Sequence, residues 1–230
     1  YSPDHARFIT PIISPMLAHA KILKQLYGED VKIVFAGPCI CKKLEADYFN
    51  NLVDVVITFK DLKKWFEQSD INLKNIAPNQ PEARFVPYRS GLGAYYPIEG
   101  GMLKGMQEGK KQIHHMAFSE LSTVKDVLKE LDSHRENDSI FLELLACKGG
   151  CINGPAKLSH ISPALKRYEI IHQSELGNPK DDFKNIDLQI LFCKDPHVQD
   201  HTYTEEEIKQ AMAVVGKTGP EDELNCSGCR

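Results

Sequence analysis

Cysteine is the residue type whose spacing in this sequence most directly suggests chemistry. An odd number of cysteines, spread unevenly over 230 residues, is not the pattern of a small disulfide-stapled secreted protein. Closely spaced pairs without a secretory context more often bind metal or carry out redox chemistry. The seven cysteines fall as three close pairs and one single residue: Cys39 and Cys41, Cys147 and Cys151, Cys226 and Cys229, and Cys193.

Two of these pairs follow one design, in which a buried strand ends at a sharp turn that begins with cysteine. The first such segment covers residues 35–45 and the second covers residues 142–155. Glycines beside the cysteines allow the backbone to approach a bulky inorganic group and to point N–H groups at sulfur. Thiolates whose sulfurs accept hydrogen bonds are the ligands of iron–sulfur clusters. Lys42 and Lys43 would lower the thiolate pKa of Cys39 and offset the negative charge of a cluster.

The same residues allow simpler interpretations. A cysteine at the end of a strand is commonly a small buried hydrophobic residue. Zinc is the other metal interpretation, although the CxxxC spacing of Cys147 and Cys151 differs from the usual CxxC zinc knuckle. Spacing alone therefore leaves cluster ligation, zinc binding and plain burial open.

Both segments resemble motifs of the iron-only (FeFe-type) hydrogenase large subunit. Residues 37–45 read GPCICKKLE and are similar to the family motif PCxxKxxE. Residues 142–154 read LELLACKGGCING and are similar to the motif ExMACxGGCxxG. The resemblance covers about residues 10–200, the C-terminal part of the catalytic domain. The segment from Ser14 to Ala20 and the Gly-Pro form of the first motif are most similar to the sensory branch of the family.

By position, the resemblance implies that Cys39 and Cys147 ligate the four-iron (4Fe-4S) cubane of an H-cluster. Cys151 would bridge that cubane to the two-iron subsite, where hydrogen is made or split. Lys42 would donate a hydrogen bond to a cyanide ligand on the outer iron, so that Lys42 and Cys151 would be the catalytic residues. Glu45 would orient structure rather than ligate, because carboxylates suit harder ions.

Some features depart from the family pattern. Gly37 and Leu145 stand where active members have methionines beside the two-iron site, and Gly-Pro-Ala at 154–156 breaks the usual glycine triplet. The family's first motif, with one cubane ligand and often a proton-shuttling cysteine, would precede Tyr1. We therefore expect this chain to carry three of the four cubane ligands, to be apo or partly loaded, and to be inactive. We expect the full-length protein to have low turnover. Cys41 could substitute only if its side chain shared the pocket of Cys39, and Cys193 has no assigned role.

The sequence predicts two parts of unequal size. Residues 1–215 would form the hydrogenase-like domain without its N-terminal part. Residues 216–230 would form a linker and the start of a possible iron–sulfur module with Cys226 and Cys229 as metal ligands. The polar group His197, Asp200 and His201 is interpreted as a solvated loop before the helix cap at Thr204.

The elements that must position the cysteine turns alternate between strand and helix, which favours α/β layers. Glu143, polar within an apolar strand, is predicted to be a buried carboxylate that accepts hydrogen bonds from backbone N–H groups. With the family resemblance, this predicts mixed β-sheets flanked by helices in two lobes, with a cluster cleft between them. Strands are predicted at 31–37, 54–59, 84–87, 115–118, 140–146 and 188–192. Helices are predicted at 14–28, 39–49, 62–66 and 124–131, from Pro155 into the 160s, and from Thr204 to Val215. In the first helix, the Ser14 side chain is expected to cap the free N–H groups and Gly28 to end the helix in a left-handed conformation.

Composition excludes several classes of partner. Hydrophobic residues make up 42% and charged residues 26%, as in soluble globular proteins, and the formal charge of −4 gives no sign of a nucleic-acid partner. No apolar run approaches the roughly 20 residues that span a bilayer, so we expect no membrane partner and a cytoplasmic protein.

Together these features predict an iron-only hydrogenase-like oxidoreductase that interconverts H₂ and protons at an H-cluster, with a sensory or regulatory role and a redox or signalling protein as partner. One alternative is a non-catalytic hydrogenase-like iron–sulfur protein for redox sensing or cluster assembly, and a second is a zinc-binding structural domain. Lys42 and Cys151 discriminate, because a protein that holds only a cubane does not need a cyanide-facing lysine. In every cluster-binding case, the thiols of Cys39, Cys147 and Cys151 are expected to converge.

Overall fold

A computed structural model of the chain places the elements that carry these residues. It describes residues 3–49, 51–75, 85–87, 90–106, 113–131, 139–158, 161–174, 186–189, 203–214 and 219. The sequence-based expectations for Cys193, Cys226 and Cys229, and for the His197–Asp200–His201 group, lie outside the described residues.

The first half of the chain builds a two-stranded parallel sheet covered by helices. Strand β1 (Val34–Gly37) pairs with β2 (Val55–Thr58), and α2 (Cys41–Tyr48) connects them. Helix α3 (Phe59–Gln68) begins at a capping box in which Thr58 and Asp61 exchange hydrogen bonds. The core under the sheet joins α1 (Pro15–Tyr27) to the residues that flank β1 and β2; it contains Ile13, Met16, Leu17, Ala20, Ile33, Ala46 and Val53.

Helix α1 ends as its sequence predicts but begins differently. Gly28 adopts φ 98°, a left-handed value that suits glycine, and its N–H donates to the Lys24 carbonyl at 2.8 Å. The prediction that the Ser14 side chain caps the helix is wrong. The Ser14 hydroxyl is buried and bonds no group of the described chain. It therefore accepts no hydrogen bond from the first N–H groups of the helix.

The second half repeats the parallel arrangement. Strand β3 (Ile113–Ser119) runs parallel to β4 (Ser139–Leu145), and α4 (Leu121–Glu130) lies between them in the chain. The α/β class with small parallel sheets and flanking helices is therefore confirmed. Two helices follow, α5 (Pro163–Ser174) and α6 (Glu205–Val214), and the predicted capping box at Thr204 is present, with Glu207 as its partner.

Three segments differ from the sequence prediction. The helix predicted from Pro155 is wrong, because the chain makes a further turn, with the Lys157 N–H bonded to the Gly154 carbonyl at 3.1 Å, and α5 begins only at Pro163. Residues 85–87 form no strand. Of the predicted strand 188–192, only the first two residues are described, and there Gln189 bridges Ile12 in antiparallel fashion.

None of the helices in the described ranges combines the length and the apolar character needed to cross a bilayer.

The Glu143 carboxylate ties β4 to a turn before β3. Its side chain is only 2% exposed. It accepts hydrogen bonds from the N–H groups of Gly100 (3.0 Å), Met102 (3.1 Å) and Leu103 (3.3 Å). This confirms the buried carboxylate predicted from the sequence, and it shows that one side chain satisfies a whole turn of backbone donors.

Substitution of Glu143 should destabilise the fold without touching a cysteine. We expect Glu143→Gln to lower the free energy of unfolding by about 1.5–3 kcal/mol, because charge-assisted bonds to buried donors are lost. Glu143→Ala should cost more, since three N–H groups lose their partner. Urea denaturation measures both, with Glu169→Gln on the exposed surface of α5 as the matched control. Equal unfolding midpoints for Glu143→Gln and Glu169→Gln would contradict this prediction.

Candidate metal centre

The two cysteine turns occupy equivalent positions in the two sheets. Strand β1 ends at Gly37 and Cys39 follows two residues later, while β4 ends at Leu145 and Cys147 follows two residues later. Each turn therefore lies at the carboxyl end of a parallel strand, where side chains from different loops can meet.

The turns contact each other through backbone. The Pro38 carbonyl accepts a hydrogen bond from the Ala156 N–H at 3.2 Å. A Cβ atom at Gly154 would lie 2.7 Å from the Pro38 oxygen and 2.9 Å from the Cys151 oxygen. Only glycine at position 154 allows this approach, so Gly154 is required for packing. The departure from the family's glycine triplet begins at the next residue, Pro155.

The thiols of Cys39 and Cys151 are hydrogen-bonded to each other, and both residues are half-buried. The pKa of Cys39 is lowered to about 6: the hydrogen bond from the Cys151 thiol is the largest cause, and burial opposes it. The N–H groups of Cys41 and Lys42 and the charge of Lys42 contribute in the lowering direction. Cys39 is therefore the thiolate of the pair at neutral pH, and of its two neighbouring lysines Lys42 is a named cause.

The thiols of Cys41 and Cys151 are held in the protonated form. The bond to the Cys39 thiolate is the largest cause that raises the pKa of Cys151, followed by burial and by the charges of Cys39 and Cys147. Burial, and then the charge of Cys39, raise the pKa of Cys41. The Cys41 thiol also donates to the Cys39 sulfur, so it does turn toward Cys39, although Cys41 is exposed.

Lys42 lies in the first turn of α2 and forms an ion pair with Glu45. The two side chains are 24% and 22% exposed, so the pair is partly shielded from water. This ion pair agrees with the expectation that Glu45 orients structure and does not ligate a metal. Lys43, by contrast, points outward and pairs with Asp61 at 3.6 Å on the surface.

The turn of Cys147 and Cys151 is anchored by residues that the sequence analysis did not identify. The Ile152 N–H donates to the Pro97 carbonyl at 2.9 Å, and a Cβ at Gly150 (φ 103°) would lie 2.4 Å from that carbonyl. The Ser119 hydroxyl accepts a hydrogen bond from the Gly149 N–H at 2.8 Å and donates to Glu99 at 2.6 Å. No local motif marks Ser119 or Glu99, because their role depends on contacts between distant segments.

The space beside Gly37 is partly filled. The Phe35 ring lies 2.8 Å from the position that a Cβ at Gly37 would occupy. The methionine that active members carry there would therefore require the ring to move, and Gly37 does not simply leave an open pocket on this side.

The donor set matches an iron–sulfur cluster in its chemistry. Cys39, Cys147 and Cys151 are half-buried, and the partly shielded Lys42 acts on Cys39 and Cys151. Nowhere in the described ranges do three or more His, Cys, Asp or Glu side chains form a group that could hold a metal ion as they stand. A cubane instead distributes its cysteines over separate iron atoms. That these thiols ligate iron stays a prediction, as does the role of Lys42.

Comparison with known proteins identifies the family of the chain. The family model for the iron only hydrogenase large subunit, C-terminal domain, matches residues 1–155. Iron hydrogenase 1 from Clostridium pasteurianum is 24% identical, over 95% of this chain and 44% of that protein. A "Probable cytosolic Fe-S cluster assembly factor" from Drosophila mojavensis is 25% identical, over 76% of this chain and 50% of that protein. The chain thus spans about half the length of the curated relatives it matches.

Solved structures agree in fold. An FeFe-hydrogenase structure that describes stepwise H-cluster assembly has a TM-score of 0.50 and 19% identity, covering 74% of this chain and 61% of that chain. A variant of the FeFe-hydrogenase from Chlamydomonas reinhardtii has a TM-score of 0.51 and 16% identity, with the same coverage. At these identities the similarity shows the fold alone.

The lowered pKa of Cys39 predicts pH-dependent thiol chemistry in the cluster-free, reduced protein. Alkylation of Cys39 by iodoacetamide should rise with pH to a midpoint near 6, because the thiolate is the reactive form. Cys151→Ala removes the main hydrogen-bond donor and should move this midpoint upward, toward the ordinary cysteine value. Ser122→Ala on the exposed face of α4 is the control. Peptide mass spectrometry resolves the sites; an unchanged midpoint in Cys151→Ala would refute the thiol pairing.

Proposed function

Because the chain belongs to the family of the iron only hydrogenase large subunit, C-terminal domain, we propose that it holds an iron–sulfur cluster on Cys39, Cys147 and Cys151. One observation carries this proposal: the hydrogen bond between Cys39 and Cys151, which joins turns from two separate sheets. A zinc knuckle or a plainly buried cysteine would need no such meeting of two strand ends beside a lysine.

The proposed roles follow the positions of the thiols. Cys39 and Cys147 bind the four-iron cubane, and Cys151 bridges it to a two-iron subsite. When bound, that subsite supplies reversible proton reduction, 2H⁺ + 2e⁻ ⇌ H₂. Lys42 donates a charge-assisted hydrogen bond to a cyanide ligand of the subsite, and the partly shielded ion pair with Glu45 holds its ammonium in place.

The whole protein is proposed to be a sensory or regulatory hydrogenase with low turnover. Its substrates are H₂ and protons, its partner is a redox or signalling protein, and it acts in the cytoplasm. The fourth ligand of the cubane is a residue other than Cys39, Cys147 and Cys151. Residues 216–230, with Cys226 and Cys229, are proposed to begin a separate iron–sulfur module after the domain formed by residues 1–215.

The second candidate is a non-catalytic iron–sulfur protein for cluster assembly or redox sensing. The similarity to a protein named as a cytosolic Fe-S cluster assembly factor supports it. The presence of Lys42 and Cys151 in one shielded site supports the hydrogenase instead. Infrared spectroscopy of the full-length, matured protein separates the two. Cyanide and carbonyl stretching bands are expected for a hydrogenase, whereas iron and sulfide without these bands would support the second candidate.

Lys42 should matter for the two-iron subsite and much less for the cubane. In Lys42→Ala we expect unchanged cubane iron content and lost or shifted cyanide bands, because a charge-assisted bond worth about 1.5–3 kcal/mol is removed. Lys43→Ala is the matched control, since that neighbouring lysine is exposed and pairs with Asp61. Loss of both signals in Lys42→Ala, or of neither, would count against the proposed role.

Turnover should be low. Gly37 and Leu145 lack the thioether of methionine, so the side chains around the proposed two-iron subsite differ from those of active members. A loss of about 1.4 kcal/mol in transition-state stabilisation would make hydrogen evolution about tenfold slower than in a catalytic family member under the same reductant. Leu145→Met should recover part of the difference, whereas Leu44→Met on the exposed face of α2 should not. Rates equal to those of the catalytic member would overturn the sensory assignment.

A further inference from the structure

A short chain of hydrogen bonds reaches the turn between Cys147 and Cys151 from the end of β3. Ser119 is the last residue of β3, and Glu99 lies just before the turn that Glu143 satisfies. The Ser119 hydroxyl donates to the Glu99 carboxylate at 2.6 Å and accepts from the Gly149 N–H at 2.8 Å. Both side chains are half-buried, so these bonds compete only partly with water.

The direction of this chain is fixed by chemistry. A hydroxyl has one proton, and an ionised carboxylate can only accept, so Ser119 must donate to Glu99. A hydroxyl that donates to a charged acceptor becomes a better acceptor itself. The negative charge of Glu99 therefore strengthens the hydrogen bond that Ser119 accepts from the Gly149 N–H.

The backbone of Glu99 binds the same glycine a second time. Its N–H donates to the Gly149 carbonyl at 3.3 Å, so the N–H of Gly149 is held by Ser119 and its carbonyl by Glu99. Arg167 of α5 in turn donates to the Glu99 carbonyl at 3.4 Å. Gly149 has no side chain to pack and adopts a left-handed φ of 72°, so these bonds from other segments set its position.

We propose that Ser119 and Glu99 are positioning residues, which fix the turn between Cys147 and Cys151 in the spacing and orientation that an iron–sulfur cluster requires. The inference rests on the proposed function, because it assigns these two side chains to the same site. It goes beyond the family motifs, since neither residue belongs to one of them. Without the Ser119 hydroxyl, the Gly149 N–H is released and can turn toward a cysteine sulfur. Hydrogen bonds to the sulfurs are one of the factors that set a cluster's reduction potential.

The test uses Ser119→Ala, Ser119→Thr and Glu99→Gln, with Ser122→Ala on the exposed face of α4 as the matched control. The first readout needs no iron: hydrogen exchange of the Gly149 amide, followed by NMR in the cluster-free protein. We expect exchange about tenfold faster in Ser119→Ala, as one hydrogen bond is lost. The increase should be smaller in Glu99→Gln, and exchange should be near wild type in Ser119→Thr and Ser122→Ala.

The second readout follows anaerobic reconstitution of the full-length protein with iron and sulfide. Ser119→Ala should keep its iron content, because every cysteine remains, but shift the electron paramagnetic resonance spectrum and the reduction potential of the cluster. Ser119→Thr should restore the spectrum and the reduction potential, because threonine keeps the hydroxyl. If Ser119→Ala does not fold by circular dichroism, Glu99→Gln decides, with the same expected direction. Wild-type Gly149 exchange and an unshifted spectrum in these variants would overturn the inference. Failure of the wild-type protein to take up iron would instead refute the proposed function, while the exchange readout still tests the positioning role.

Discussion

The site depends on one close approach, in which the backbone after Cys151 lies against the carbonyl of Pro38. A side chain at Gly154 would collide with that carbonyl, and the two turns would separate. With the approach in place, the Cys151 thiol reaches the Cys39 thiolate, and Lys42 places its charge beside both. The parallel sheets, the glycines and the cap of α3 all serve to bring two strand ends to this place.

Charge is balanced around a single thiolate. Burial alone would raise the pKa of every cysteine in the site, yet hydrogen bonds from Cys151 and from the first N–H groups of α2 reverse its effect at Cys39. Glu45 offsets the charge of Lys42 and restrains its side chain without entering the thiol cluster. The result is an anionic sulfur at Cys39 beside the protonated thiols of Cys41 and Cys151. Such thiols can release their protons when they bind a metal as thiolates.

Local patterns in the sequence predicted most of the described elements and the position of two cysteine turns after strands, since β-branched runs, Gly28 and the Thr204 box act within a few residues. Glu143 could be predicted because a carboxylate in an apolar strand must find donors. Ser119 and Glu99 could not, because they meet Gly149 across segments distant in the chain and neither belongs to a motif. The helix expected from Pro155 failed for a similar reason: the backbone there is committed to Pro38, and a helix could not begin until Pro163. The Ser14 cap failed because its hydroxyl is buried instead.

The contact between Gly154 and Pro38 also fixes when the site can form during synthesis. Residues so far apart in sequence meet only after the intervening loop has closed, which carries an entropic cost and slows formation of the contact. The Cys39 turn leaves the ribosome long before Cys147 and Cys151 exist, and until then Cys41 is the thiol beside it. Formation of the contact between Cys39 and Cys151 is therefore expected to follow the local contacts within each turn.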